Sequence, residues 1–254
     1  MSIASAARHI RNARHVTAFT GAGISVESGV PPFRGAEGLW SRYDPECLDL
    51  TYFRRHPEDS WRVIREIFYD FFAQCRPNDA HIALAALERA GMLRAVITQN
   101  IDNLHQEAGS SNVIEFHGNA RRLFCSTCDT HLPAEGVNLA ELPPRCLCGN
   151  VYKPDFIFFG EMIPEDASVR AFREAELADV FLLIGTTGEV MPACLVPEEA
   201  KQRGAFIIEV NTEASNYTRR ITDVFLRGKA TVIMRALLAE LGLHIEPDTE
   251  VTER

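Results

Sequence analysis

Four cysteines stand in two close pairs, Cys125-Ser-Thr-Cys128 and Cys146-Leu-Cys148, with 17 residues between them. Thiol pairs at this spacing can converge on one tetrahedral zinc, each tight turn supplying two ligands while the intervening loop closes the site. The second pair is Cys-x-Cys, one residue tighter than the usual Cys-x2-Cys. Four thiolates fill the coordination sphere and leave no position for water, so a zinc held here is structural and any catalysis lies elsewhere. The competing reading, four unrelated reduced thiols, leaves the clustering unexplained, since only Cys47, Cys75 and Cys194 lie outside it.

A second pattern able to do chemistry is Gly21-Ala-Gly23, which follows the short β-prone run Val16-Thr-Ala-Phe-Thr20. A strand that enters a glycine turn can offer exposed backbone N–H groups to a pyrophosphate. The dinucleotide fingerprint wants a third glycine three residues on, and Val26 stands there. Alone, the turn leaves nucleotide binding as one reading among several.

The elements that would position these residues follow from apolar periodicity. Ala95–Thr98, Val113–Phe116, Val180–Ile184 and Ala205–Val210 read as further strands. His81–Ala90 reads as a helix with Gly91 as its C-terminal cap, Pro197–Arg203 as helix-like, and Thr231–Leu241 as an amphipathic helix before a polar tail. Short apolar strands alternating with helices predict an α/β fold, a Rossmann-like doubly wound parallel sheet covered on both faces. Two stretches interrupt the rhythm. Residues 118–152, with few apolar runs and Pro133, Pro143 and Pro144, read as an inserted zinc-ribbon module; residues 31–77, with Trp40, Trp61 and Phe68-Tyr-Asp-Phe-Phe72, read as a cofactor loop and helical lobe. Residues 1–30, 78–117 and 153–245 then form the Rossmann-like domain.

Composition bounds the function class. The chain has 254 residues, 46% hydrophobic and 24% charged, with a formal net charge of −9. That balance argues against a nucleic-acid partner, which a basic face would serve. No apolar run reaches the roughly 18 residues of a membrane span, so no membrane association is expected. An odd cysteine count with a metal-like cluster fits a reducing, cytoplasmic setting better than a disulfide framework. Met1 to Val26 carries Arg8, Arg11 and Arg14 and no acidic residue, as a transit peptide would. With a strand beginning at Val16, the expectation is instead a first helix packing Ile3, Ala6, Ala7 and Ile10 on the domain.

The longer string Thr20-Gly-Ala-Gly-Ile-Ser-Val-Glu-Ser-Gly-Val-Pro-Pro-Phe-Arg-Gly35 resembles the cofactor-loop signature of the sirtuins, NAD-dependent protein lysine deacylases. Thr98-Gln-Asn-Ile-Asp-Asn-Leu-His105 and Glu115-Phe-His-Gly118 are similar to that family's second and third signatures. The cysteine pairs, Phe158-Phe-Gly-Glu161, Gly185-Thr-Thr187 and Glu209-Val-Asn211 follow in its order, so the resemblance covers roughly residues 8 to 240.

The resemblance implies that the acyl group of a protein or peptide lysine passes to ADP-ribose, with NAD+ as co-substrate, nicotinamide released and one structural Zn2+. It implies His117 as the general base, a role an imidazole with pKa of about 6.5 suits at neutral pH. Asp102 would hold the nicotinamide carboxamide, with Asn100 and Ile101 shaping the same pocket and Gln99 reaching the ribose. Read without the family, Asn100 and Asp102 are helix caps. Phe33 would shield the reacting ribose and Arg34 approach the phosphates; otherwise Phe33 is core and Arg34 a solvated charge. Gly21, Ala22, Gly23, Ser25, Gly185, Thr186 and Thr187 would line the pyrophosphate channel, with Asn211 near the adenosine ribose and Glu213 either beside it or merely exposed. Phe159, Gly160 and Glu161 would clamp an extended peptide against Gly188, Glu189 and Val190, by strand addition. Phe156 and Ile157 would line the acyl-lysine tunnel, where relatives usually carry valine.

Family members that prefer succinyl or malonyl lysine carry Tyr-x-x-Arg in the lobe, the arginine pairing with the acyl carboxylate. Here Tyr69 is followed at that spacing by Phe72, and neither Arg65 nor Arg76 fits. Gly38-Leu-Trp40 and Gly185-Thr-Thr-Gly188 nevertheless resemble the acidic-acyl subgroup. Burying an unpaired carboxylate is costly, so neutral acyl groups are expected, acetyl first and longer aliphatic chains next. The rival readings are a mono-ADP-ribosyltransferase, a catalytically silent NAD-binding regulator and, remotely, a zinc-ribbon nucleic-acid protein. Intact His117, Asn100 and Asp102 favour the deacylase.

The metal reading is checked by elemental analysis. One zinc per chain is expected, with Cys148→Ser retaining markedly less; an unchanged zinc content in that variant would remove Cys148 from the ligand set.

Overall fold

The computed structural model describes residues 2–33 and 38–245. Helix α1 (Ile3–Asn12) leads into β1 (Val16–Thr20); α2 (Leu50–Arg55) and α3 (Pro57–Ile64) begin the lobe. Then come α4 (Asp79–Arg89), β2 (Ala95–Thr98), α5 (Leu104–Glu107), β3 (Val113–Glu115), β4 (Gly118–Phe124), β5 (His131–Pro133) and β6 (Lys153–Phe156). The chain closes with α6 (Glu165–Leu177), β7 (Val180–Ile184), α7 (Leu195–Gln202), β8 (Phe206–Asn211), β9 (Val224–Arg227) and α8 (Ala230–Leu241).

A six-stranded sheet in the order β3-β2-β1-β7-β8-β9 pairs in parallel throughout. Its strands are apolar on both faces because both are covered. In β7, Val180, Leu182 and Ile184 join the core under α1, α4 and α8, whereas Phe181 and Leu183 join the one under α6 and α7. That alternation is the two-residue period of a strand. Each expected strand and helix is present, and Asn78 caps α4 through Ala80 N–H. The N-terminal segment is a helix burying Ala6, Ala7 and Ile10 on the sheet, as the structural reading of that stretch expected.

The strand order also locates the crevice. From β1 the chain builds outward to β2 and β3, then returns to the other side of β1 for β7, β8 and β9. The loops after β1 and β7 therefore diverge, and an open α/β sheet binds its ligand at such a switch point.

A separate three-stranded antiparallel sheet, β5-β4-β6, carries the cysteine module. Its first residue, Gly118, has φ +78 and lies so close to β6 that a Cβ would sit 2.2 Å from the Asp155 carbonyl oxygen. A third core joins this module to the lobe, around Phe53, Trp61, Ile64, Phe68, Leu123, Cys125, Tyr152, Phe156 and Phe158. Trp61 is fully buried there, and its indole N–H donates to the Tyr152 carbonyl at 2.8 Å. Among the described residues no helix is long and apolar enough to cross a membrane.

Trp61→Ala removes both a large buried side chain and this bond, at an expected cost of about 3–5 kcal/mol. A lower melting temperature and faster zinc loss to a chelator should result, with the helical signal retained at low temperature. Wild-type melting and chelation rate would show that the indole does not join the two parts.

Candidate active site

The sequence turns at the end of β1 without a helix proper. Gly21 N–H donates to the Ile184 carbonyl at 3.0 Å and Gly23 N–H to the Gly185 carbonyl at 2.9 Å. A Cβ on Gly185, which has φ +62, would lie 2.3 Å from Ile24 N; one on Gly23 would lie 2.6 Å from Gly185 Cα. Only glycine allows this backbone-to-backbone approach. It forms a cradle at the switch point that side chains would otherwise fill; the N–H groups of Gly21, Gly23, Ile24 and Ser25 are all taken by carbonyls, so the turn offers a pyrophosphate space rather than the row of exposed donors expected from the sequence. Thr186 and Thr187 follow on the β7 side. Gln99 Nε2 donates to Thr186 Oγ1 at 3.1 Å, and Asn211 Nδ2 donates to the Thr186 carbonyl at 3.0 Å. Thr187 Oγ1 donates to Glu189 Oε2 at 3.3 Å. Glu213 sits on the surface and pairs with Arg227 at 2.7 Å. Arg34 lies outside the described residues.

Beneath the cradle runs a buried polar network. Ser25 Oγ donates to Asp102 Oδ2 at 2.7 Å and accepts from Asn100 Nδ2 at 3.1 Å. The same Asn100 amide reaches the Gly21 carbonyl at 3.2 Å. Asp102 Oδ1 accepts from Leu104 N–H at 3.0 Å, but the N-cap of α5 is Asn103, which makes no side-chain cap bond; Asn100 donates into the network instead. Burial pushes the Asp102 carboxyl above its ordinary value, and the bonds from Leu104 and Ser25 pull it back. Asn103 stands at φ +66 beside it, a left-handed conformation that asparagine tolerates better than most residues.

Two further histidines belong here that the sequence reading passed over. His81 Nδ1 accepts from Asn78 N–H at 3.3 Å, which makes Nε2 the donor to Ser25 Oγ at 3.4 Å. His105 Nε2 meets Thr20 Oγ1 at 2.9 Å, and Thr20 donates to Thr98 Oγ1 at the same distance. The two rings touch edge-on, centroids 4.9 Å apart. Burial lowers both pKa values, His105 to about 3, so both stay neutral at physiological pH. A histidine in the first turn of an apolar helix gives no sign in sequence that it will underlie a site.

His117 leaves the end of β3 and is half-buried. Its Nδ1 lies 3.0 Å from the Gln99 carbonyl oxygen. A carbonyl can only accept, so Nδ1 carries the hydrogen and Nε2 is the basic nitrogen. Burial lowers the His117 pKa below 6.5, opposed by the bond to Gln99. Its own carbonyl accepts from Ile157 N–H at 2.9 Å, which brings the next segment alongside.

That segment alternates. Ile157 is half-buried beside His117, while Phe156 is buried with its ring against Phe68 and Phe158, at 4.9 and 5.2 Å. Phe159 N–H donates to the Leu48 carbonyl at 2.8 Å, and its carbonyl accepts from Leu50 N–H at 3.0 Å. Phe159, Gly160, Met162 and Met191 are exposed, with Glu161, Gly188 and Val190 half-buried. Phe33 rests on Trp40 (5.5 Å), and Trp40 on Phe159 (6.1 Å), an aromatic run from cofactor loop to exposed rim. Ile101 and Asp102 also line a cavity of about 570 Å³ whose wall includes Phe68, Tyr69 and Phe72.

Apart from this site, the four thiols of Cys125, Cys128, Cys146 and Cys148 all lie within 4.8 Å of one another. The closest sulfur pairs are 3.5 Å apart, near the edge of about 3.8 Å that a tetrahedron with bonds of ~2.3 Å requires. The tight Cys-x-Cys turn thus still delivers Cys148, and the donor set is compatible with one structural zinc.

Residues 21–192 match the Sir2 family. The NAD-dependent protein deacylase of Thermococcus sibiricus is 43% identical over 252 residues, covering 96% of this chain and 98% of that one. The NAD-dependent protein deacylase of Thermococcus kodakarensis is 47% identical, with coverages of 92% and 93%. Among solved structures, a Sir2 homologue–NAD complex is 41% identical with a TM-score of 0.87, covering 94% of this chain and 93% of that one. A Sir2–p53 peptide–NAD+ complex is 33% identical with a TM-score of 0.88, and the coverages are 95% and 99%. With motifs, switch-point cradle and cysteine module all in register, this chain belongs to the Sir2 family.

Proposed function

We propose that the chain is an NAD-dependent protein lysine deacylase: it takes acylated lysine side chains of proteins or peptides, cleaves nicotinamide from NAD and transfers the acyl group to ADP-ribose. The observation that carries this is His117, whose Nδ1–H is held by the Gln99 carbonyl, leaving Nε2 as the basic nitrogen, and whose own carbonyl accepts from Ile157 N–H. The names and bound ligands of the relatives support the same reading.

NAD is a co-substrate here and supplies the ribose carbon that accepts the acyl oxygen. The chain's residues do the rest. The Gly21–Gly23 turn, Gly185, Thr186 and Thr187 bind the pyrophosphate above the fully buried Ser25, whose hydroxyl holds Asp102 from below, with Asn211 at the adenosine ribose. Asp102 accepts from the carboxamide NH2 of nicotinamide, with Asn100 and Ile101 closing the pocket. His117 Nε2 takes a ribose hydroxyl proton. Phe33 covers the reacting face, and an extended peptide lies between Phe159–Glu161 and Gly188–Val190. A cytoplasmic setting belongs to the same reading, supported by seven cysteines of which four cluster as a metal site and none is in a disulfide.

The acyl preference is for neutral groups. Phe72 is buried edge-on to Phe68 (5.2 Å), and the Tyr69 hydroxyl donates to the Ala120 carbonyl at 2.7 Å. Arg65 pairs with Asp70, and Arg121 with Glu107 and Glu135. Arg76 and Arg121 also line this cavity, but Arg76 donates to the Cys75 carbonyl, and the Tyr-x-x-Arg position is filled by Phe72, so an acyl carboxylate there would meet an aromatic ring in place of the pairing guanidinium.

Mass spectrometry of an acetyl-lysine peptide tests the activity. NAD-dependent loss of acetyl, with nicotinamide and O-acetyl-ADP-ribose appearing, is expected. His117→Ala should fold normally and lose roughly 100-fold or more in turnover. Because burial lowers the His117 pKa, the base form persists on acidification, and the acidic limb of kcat/KM should lie below pH 6.5. NAD consumption with ADP-ribose appearing on protein, and acetyl untouched, would hand the site to the transferase reading.

A panel of acyl peptides tests the preference. Acetyl and longer aliphatic groups should outperform succinyl by at least about tenfold in kcat/KM, the scale expected for desolvating an unpaired carboxylate. A succinyl peptide turned over faster would overturn it.

A further inference from the structure

Lys153 is 5% exposed, an unusual place for an ammonium. Its three N–H donors all have partners: Glu161 Oε2 at 2.8 Å, the Phe156 carbonyl at 2.5 Å and the Pro154 carbonyl at 3.1 Å. Glu161 Oε2 also accepts from Phe158 N–H at 2.7 Å. The Nζ lies 4.1 Å from the Phe158 ring centroid and 5.2 Å from that of Phe124. Residues 153–161 thus wrap around one buried cation.

The wrapped segment is the one on which the proposed peptide site depends. Ile157 N–H reaches the His117 carbonyl, and Phe159 pairs with Leu48 and Leu50 in the lobe. Phe124 stands opposite Lys153 in the β4–β6 register and immediately precedes Cys125. The ammonium therefore stands where the cysteine module, the tunnel wall and the clamp meet.

We infer that Lys153 is a positioning residue for the acyl-lysine substrate: it fixes the carbonyl of Phe156 and the carboxylate of Glu161, and so sets Ile157 and Phe159–Glu161 in the geometry that receives the peptide. This rests on the deacylase reading above. The ammonium touches none of the nucleotide cradle, so its loss acts on the peptide and leaves NAD binding in place. A neutral side chain cannot replace it, since the Phe156 and Pro154 carbonyls would lose this donor and the Glu161 carboxylate would keep only Phe158 N–H and no cation. Arginine can, because it keeps the charge and offers five donors, though in a planar fork.

The test is steady-state kinetics on the full chain, with acetyl-lysine peptide and NAD varied separately and ADP-ribose binding measured alongside. Lys153→Met should raise the peptide KM at least tenfold while the NAD KM and the ADP-ribose affinity stay within twofold. Lys153→Arg should bring the peptide KM back to within about threefold of wild type. Phe124→Leu keeps the ion pair and removes only the ring on the cysteine-module side. It provides the readout if Lys153→Met does not fold, with a two- to fourfold rise in peptide KM and none for NAD. Parallel losses for peptide and NAD, or an unchanged peptide KM in a folded Lys153→Met or in Phe124→Leu, would overturn the inference. A wild-type chain that leaves every acyl peptide untouched overturns the deacylase reading, and this inference with it; wild-type turnover with unaffected variants overturns this inference alone.

Discussion

Two loops leave the sheet in opposite directions and touch through bare backbone, Gly23 against Gly185. The contact is close enough that a single methyl group on either glycine would collide with main-chain atoms of the other loop. Strand order places it: β1 is flanked by β2 on one side and β7 on the other, so their following loops must part at the sheet's carboxyl edge. Everything used for binding hangs from that parting. The β1 loop carries Ser25 down to Asp102, the β7 loop carries Thr186 to Gln99 and Asn211, and β3 delivers His117 beside them.

What lies under the contact explains why it can be polar and still stable. Buried polar groups cost free energy unless each finds a partner. Ser25 is shared by His81, Asn100 and Asp102, and Thr20 by Thr98 and His105. His105 Nδ1 alone in this group is without a partner. Two imidazoles in edge contact could not both be protonated in this dry floor, and burial keeps them neutral. The one group there with an acid's chemistry is Asp102, aimed at the neighbouring pocket. An acceptor held by the fixed donors Ser25 and Leu104 can receive an amide without rearranging, which is the condition for selecting a carboxamide over an isosteric acid.

Legibility in the sequence followed how local each signal was. The strands of the large sheet are contiguous apolar runs, so most could be read directly, and the cysteine pairs carry their own spacing. Helix α6 is harder to see: it buries only Ala171 and Ala175 among mostly charged neighbours, so its apolar stripe is thin. Strand β9, four residues at the sheet's far edge, has too short a pattern to register. The site residues embedded in glycine-rich strings were legible as strings. The roles of His81, His105, Lys153 and Glu209 were not: the two histidines meet partners 56 and 85 residues away, and the lysine and glutamate are buried by loops that fold back on them. A lysine or glutamate in sequence reads as surface. Only the fold shows Glu209 buried among the hydroxyls of Ser215, Thr218 and Thr222, holding the loop that follows Asn211.

The same non-local logic accounts for a metal site in an enzyme fold whose chemistry does not involve the metal. A small three-stranded sheet buries too little apolar surface to order itself, and a zinc held by four thiolates supplies the missing free energy. Once ordered, the module fixes the reaction side at several points. Trp61 and Tyr69 of the lobe donate to Tyr152 and Ala120 of the module, Arg65 to Leu139, and β6 runs from the cysteine sheet straight into the peptide rim. His117 ends one approach to that rim and Ile157 the other, joined by a single backbone hydrogen bond. Loosening the module would let the tunnel wall move relative to a base still held on the parallel sheet. Reacting groups tolerate misplacement of only about an ångström before rate collapses. On the proposed mechanism a zinc held by the four cysteines would act through packing alone, its thiolate ligands setting the distance between the His117 imidazole and the acyl group it would serve.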